Sequence, residues 1–289
     1  MPAIDNRIIE ALRRQQLVTE YIIYPFSDIT DYQINLTNVP SFSKEDVLVV
    51  SNKMILPHWV ESKGSVWIKI PKLTKNTPLK IYTLTGNPSA ASASNGTNTF
   101  VFFDDFSGDL SKWTVTQSTA GNVAIVAGEV QLTGIAAWAS NGMTSIVNIS
   151  RPVIIEWKSR TSGTGIESFE GYSVQPLNYA TGLSFLRGNE LLRILDNAYI
   201  TLEATWSSTQ STWKIDLPSV GYKIYRNNVL KETNTAWATN NNKIAFQINK
   251  VGQYQYIDNV IVRKYASPEP IVQKVRTLNK SLLIKELMR

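Results

Sequence analysis

The chain has 289 residues, 43% of them hydrophobic and 18% charged, a formal net charge of +6, a single histidine and no cysteine. That length holds two compact domains or one large sandwich with extensions, and the composition is too apolar for a disordered chain. Without cysteine there is no disulfide framework, thiolate nucleophile or thiolate metal site, and no run approaches the length of a membrane span.

The start, Met1-Pro2-Ala3-Ile4-Asp5, lacks the apolar core of a signal peptide. Residues 4–18 predict an amphipathic helix, with Ile4, Ile8 and Leu12 on one face and Arg7, Glu10, Arg13 and Arg14 on the wetter side. From Tyr21 the period changes to two. Tyr32, Ile34 and Leu36 alternate with Gln33 and Asn35, and Val66, Ile68 and Ile70 alternate with Trp67 and Lys69. A small-residue stretch over 88–98 then predicts a linker.

From Phe100 to Tyr265 short strand signals recur, among them Val153–Arg160, Trp213–Leu217 and Asp258–Tyr265, separated by polar turns. Asn227-Asn228 between Tyr222–Arg226 and Val229-Leu230 predicts a tight hairpin with positive φ. The tail, with Val275, Leu278, Leu282 and Leu283, predicts a basic C-terminal helix. It carries Lys274, Arg276, Lys280, Lys285 and Arg289 against Glu269 and Glu286, half of the net charge. A nucleic-acid groove needs basic residues gathered on a folded face, so no nucleic-acid partner is expected. The expected organisation is an N-terminal helix (1–20), a small β-domain (21–88), a linker (89–99), a β-sandwich (100–266) and a basic helical tail (267–289).

Two resemblances sharpen this. Asp31-Tyr32-Gln33-Ile34-Asn35-Leu36, Ile55-Leu56-Pro57-His58-Trp59-Val60-Glu61 and Ser65-Val66-Trp67-Ile68-Lys69-Ile70-Pro71 resemble an uncharacterised β-domain family of microbial, especially archaeal, surface and viral proteins. Residues 28–106 carry this likeness, although the family's aspartate-rich middle strand is replaced here by Asp46-Val47-Leu48-Val49-Val50. Phe100-Val101-Phe102-Phe103-Asp104-Asp105-Phe106 and Asp258-Asn259-Val260-Ile261-Val262 resemble the first and last strands of a concanavalin A-like (laminin-G-like) jelly roll. The fold class expected is therefore mainly β: a small β-domain followed by a jelly-roll sandwich, with a helix at each end.

Sandwiches of this kind that act as glycosidases need two carboxylates across the scissile bond, presented from one face of a strand. Val153–Lys158 offers Glu156 alone, and Glu167 and Glu170 stand three apart. His58, beside Trp59, reads as a packing residue. With no phosphate-cradling glycine loop and no nucleophile elbow, the expectation is that the chain is not an enzyme and takes no cofactor. The jelly-roll resemblance implies a calcium option at Asp104 or Asp105 with Asp258, against a purely structural role for Asp-Asp-Phe as a turn.

Among aromatics set in polar sequence (Trp138, Tyr172, Tyr179, Trp206 and Trp237), the candidate ligand-binding residues are Tyr172, Trp206 and Trp237. Asn-x-Ser/Thr triplets occur at Asn35, Asn95, Asn148 and Asn279. The function expected is a non-catalytic virion component (spike, fibre or coat subunit) on a virion or extracellular surface. It would form a homo-oligomer or join other particle subunits through the terminal helices, and would bind surface glycans. The alternatives are a soluble or cell-surface carbohydrate-binding adhesin and a diverged glycoside hydrolase.

Overall fold

The computed structural model describes residues 6–14, 17–40, 47–62, 64–87, 92–135, 141–163, 168–173, 183–188, 191–195, 199–203, 208–238, 243–278 and Leu283. They form two compact units: Met1–Val101 together with Ala266–Arg289, and Phe102–Tyr265. The chain thus leaves its first unit, builds the second, and returns.

The first unit begins with helix α1 (Asn6–Arg14), followed by β1 (Leu17–Tyr24), β2 (Ile29–Thr37), β3 (Leu48–Ser51), β4 (Met54–Ile55), β5 (His58–Ser62), β6 (Ser65–Leu73) and β7 (Leu79–Thr85). The short helix α2 (Gly96–Thr99) precedes the second unit. That unit contains β8 (Phe102–Asp104), β9 (Trp113–Thr116), β10 (Val123–Val126), β11 (Glu129–Thr133), β12 (Asn141–Ser145), β13 (Val153–Thr161), β14 (Ser168–Tyr172) and β15 (Leu183–Gly188). It continues with β16 (Leu191–Leu195), β17 (Tyr199–Glu203), β18 (Ser211–Leu217), β19 (Tyr222–Arg226), β20 (Val229–Asn234), β21 (Ile244–Ile248) and β22 (Tyr254–Lys264). Strand β23 (Ile271–Leu278) belongs to the first unit again.

In the first unit a five-stranded sheet, ordered β23-β1-β7-β3-β4, faces a three-stranded sheet, β2-β6-β5. Alternation directs Tyr21, Ile23, Ile34, Leu36, Val49, Val66, Ile68 and Ile81 into one core. The other face of the five-stranded sheet has its own cluster of Val18, Val50, Tyr82 and Leu84, closed by Ile8 of α1 and by Leu278 and Leu283. Fully burying a side chain such as Ile8 stabilises by about 1.5–3 kcal/mol.

Three expectations are corrected here. The predicted N-terminal helix ends at Arg14, and Leu17 already pairs with Thr85. The stretch predicted as a basic C-terminal helix begins as strand β23 over Ile271–Leu278, antiparallel to β1, where Arg276 Nε donates to the buried carboxylate of Glu20 at 2.7 Å; Leu283 beyond it is helical, and the rest of residues 279–289 lies outside the described residues. Two of the five basic tail residues, Lys274 and Arg276, therefore stand on a sheet. The linker, too, has a packing role over its described end: Ser94 Oγ accepts from Val60 N at 2.9 Å, Asn95 caps α2, and Phe100 meets Trp59 and Trp67 edge to face.

The second unit is a jelly-roll sandwich. One sheet runs β10-β11-β22-β13-β18-β19-β20, with β8 also paired to β22; the other runs β17-β16-β15-β14-β21-β12-β9. Their facing sides bury Trp113, Val130, Leu132, Val153, Ile155, Trp157, Trp213, Ile215, Ile244, Phe246 and Val262. The Asn227-Asn228 turn has φ of +50° and +64°, as a tight two-residue hairpin requires. Fold class is as the sequence predicts, mainly β with a sandwich.

Because β23 is the strand beside β1, a chain ending at Tyr265 is expected to lose protection of residues 6–101 in limited proteolysis while 102–265 stays resistant. Equal resistance of both regions would contradict this arrangement.

Candidate functional site

The two ends of the sandwich meet as the sequence implies. Asp104 pairs with Val260 and Phe102 with Val262. Asp104 is buried: Oδ2 accepts from the Trp113 indole at 2.7 Å and Oδ1 from the Phe106 amide at 3.0 Å. Burial pushes its carboxyl up, and those two donors pull it partly back. Phe106, at φ +51°, turns into the core beside Trp113. Asp-Asp-Phe is thus a turn in which the first aspartate anchors the backbone and the phenylalanine fills the interior.

The predicted calcium pair, Asp105 and Asp258, is brought within electrostatic range. Asp105 Oδ1 accepts from the Ser107 hydroxyl at 2.7 Å, and Asp258 Oδ2 accepts from the Asn259 side chain at 3.0 Å. Among the described residues, no three of His, Cys, Asp and Glu gather as a metal would need.

Two of the predicted aromatic platforms, Tyr172 and Trp237, do not sit on the surface. Tyr172 is fully buried and its hydroxyl donates to the Ile149 carbonyl at 2.6 Å; burial pushes its phenol up to about 12. Trp237 packs edge to face on Tyr222 and lies beneath the Arg151 guanidinium, 5.0 Å from the ring centroid. Arg151 itself donates to the carbonyls of Pro218, Trp237 and Gly221, so this corner is locked. Both assignments are corrected for the same reason: small polar neighbours in sequence do not make a residue exposed when strand alternation and a closing arginine turn it inward. Trp206, like Trp138 and Tyr179, lies outside the described residues.

His58 is buried, its ring nitrogens 2.9 Å from the Leu56 carbonyl and 3.0 Å from that of Val47. Burial holds the imidazole below its ordinary range, an effect the two carbonyls partly offset. It packs, as the sequence implies.

Of the carboxylates weighed for catalysis, Glu170 shares the inward side of β14 with Tyr172 and accepts from the Trp157 indole at 2.9 Å. Glu156 is on the outer side of β13, bound to Arg263 at 2.7 Å. Glu167 lies outside the described residues.

What the sequence reading missed is the outer face of the first sheet. In β22, Gln255 and Ile257 are buried, so Tyr254, Tyr256 and Asp258 project outward. The two tyrosine rings are neighbours, 6.3 Å apart, and both are partly exposed. Register sets Gln131 of β11 and Arg160 of β13 on either side of Tyr256, and Thr133 beside Tyr254. The Arg160 guanidinium stacks 3.7 Å from the Tyr256 centroid and grips Glu129, which raises its already high pKa further. Next along the face, Lys158 stands opposite Asp258. The signal was available: Tyr-Gln-Tyr-Ile-Asp alternates cleanly.

The outer face of the second sheet is different. Thr144, Phe169, Ser173, Ala245, Gln247 and Asn249 are nearly buried although they point away from the core, and Gln247 Nε2 donates to Asn249 Oδ1 at 2.8 Å. Among the described residues that face offers small and amide side chains, with Phe169 as its aromatic.

A family model described as a domain of unknown function (DUF2341) matches residues 43–116. The match covers strands of the first unit and runs into the first strands of the sandwich. No curated protein matches the chain. Among solved structures, a Bacillus licheniformis β-glucanase is 16% identical over 57% of this chain and 98% of its own, with a TM-score of 0.44. The alginate lyase AlgAT5 is 11% identical over 54% and 96%, TM-score 0.43. The carbohydrate recognition domain of Emp47p is 13% identical over 54% and 90%, TM-score 0.42. These are likenesses of jelly-roll sandwiches. They correct one expectation: with a glucanase and a lyase among the similar structures, the inference that the chain is not an enzyme no longer stands.

Asp258 supplies a test of the face itself. Burial is the main reason its carboxyl is raised above 3.8, with Glu129 and Asp105 adding to the rise and Lys158 opposing it. A folded-state pKa above the unfolded one means the folded chain holds that proton more tightly. Ionised Asp258 therefore costs stability at about pH 7, a cost that fades as pH falls towards about 4. Asp258→Asn is expected to raise the melting temperature at neutral pH, with the difference shrinking in acid. A lower melting temperature, or stabilisation of only the wild type by added calcium, would show a structural or cation-holding role instead.

Proposed function

We propose that the sandwich is a carbohydrate-binding domain whose ligand face is the tyrosine strip of the first sheet. One observation carries this reading: two adjacent, partly exposed rings, Tyr254 and Tyr256, framed by hydrogen-bonding groups from both neighbouring strands. A pyranose has an apolar C–H face and a rim of hydroxyls. Tyrosine rings supply area for the first, and Gln131, Thr133, Glu129 and Arg160 supply donors and acceptors for the second. The rings stand on a strand held on both sides, so little ordering is needed on binding.

Of the settings expected from sequence, a soluble or cell-surface carbohydrate-binding adhesin fits better than a virion subunit assembled through free terminal helices. Ile8 is buried in the first unit, and residues 271–278 are a strand of its sheet.

Binding of the full chain to a panel of immobilised polysaccharides tests the reading. An aromatic contact contributes about 0.5–1.5 kcal/mol, so Tyr254→Ala and Tyr256→Ala should each weaken binding by roughly 2- to 10-fold without loss of fold. Trp237→Phe, altering an interior ring, should leave binding unchanged. Binding indifferent to both tyrosines would overturn the assignment of this face.

A further inference from the structure

The charges around the tyrosine pair narrow the class of ligand. Strands β11, β22 and β13 place three acids on the outer face, Glu129, Glu156 and Asp258, and three bases, Lys158, Arg160 and Arg263. Each base is matched. Arg160 grips Glu129, and Arg263 Nε donates to Glu156 at 2.7 Å. Lys158 is the cross-strand partner of Asp258, whose negative charge it favours.

A polyanionic glycan needs cations free to meet carboxylates or sulfates, and binds with strong salt dependence. Here such a ligand would have to displace Glu129 from Arg160, leaving one negative charge beside another. A neutral sugar meets no such conflict. Its hydroxyl both donates and accepts, so one hydroxyl can give to Glu129 while another accepts from Arg160, leaving the ion pair intact.

We propose that the Tyr254–Tyr256 face takes a neutral polysaccharide, with the Glu129–Arg160 pair excluding acidic ones. This rests on the carbohydrate-binding reading above and adds the charge class of the ligand. In specificity terms Glu129 is the repulsive element.

The test compares binding of the full chain to neutral polysaccharides (a glucan, a mannan, a xylan) and acidic ones (alginate, chondroitin sulfate) at low and high salt. The expected result is tyrosine-dependent binding to a neutral polymer that changes less than about twofold with salt. Glu129→Gln, which frees Arg160, should then gain salt-sensitive binding to an acidic polymer. Tyrosine-dependent binding of the wild type to an acidic polymer, lost at high salt, would overturn the charge class while leaving the carbohydrate-binding face in place. Binding to none of the polymers, or binding unaffected by the tyrosines, would overturn both.

Discussion

The sandwich depends on the pairing of its first strand with its last. Asp104 opposite Val260, and Phe102 opposite Val262, fix β8 against β22. Asp104 then holds the Trp113 indole and the Phe106 amide, which points two aromatic rings into the interior. The carboxylate is kept in a costly environment because both of its oxygens find donors; a buried carboxylate without them would be strongly destabilising. With β22 fixed in this way, β11 and β8 flank it on one side and β13 on the other. That position is what sets Gln131, Tyr256 and Arg160 in one row.

The same alternation that fills the core furnishes the candidate site. Every second residue of β22 before the Asn259 irregularity turns inward, leaving Tyr254, Tyr256 and Asp258 outside; Asn259 itself has φ +50°. A shift of one residue would bury the tyrosines and expose Gln255 and Ile257. Function and packing are thus coupled through register. On this face the Glu129–Arg160 pair contributes little to stability, since partly exposed pairs are usually worth about 1 kcal/mol or less. Its consequence is specificity: it spends the cation that an acidic ligand would seek.

Much of the fold could be read locally. The strands over Val153–Thr161 and Tyr222–Arg226 and the Asn-Asn hairpin follow from period-two patterning and turn chemistry, while the pairing of the two sandwich ends was implied by the jelly-roll resemblance. The C-terminal strand could not. Val275 and Leu278 have helical spacing, but Ile271, Val272, Val275 and Thr277 are β-branched, and the partner that decides the matter is β1, some 250 residues away. For the same reason the sequence missed that the first unit closes only when the chain returns. The exposure of the candidate aromatics does not follow from their sequence neighbours. Trp237 is enclosed by Arg151, contributed from a distant loop, and Tyr172 by its bond to Ile149. Tyr254 and Tyr256 are legible from the alternation of the last strand alone.

The most direct test of the tyrosine face is the response of ring-labelled tyrosines to a neutral oligosaccharide, followed by NMR. Resonances of Tyr254 and Tyr256 should shift with saturating dependence on ligand, while the interior Tyr172 stays fixed. Unmoved Tyr254 and Tyr256, with perturbation instead at Gln247 and Asn249 on the opposite sheet, would contradict the account.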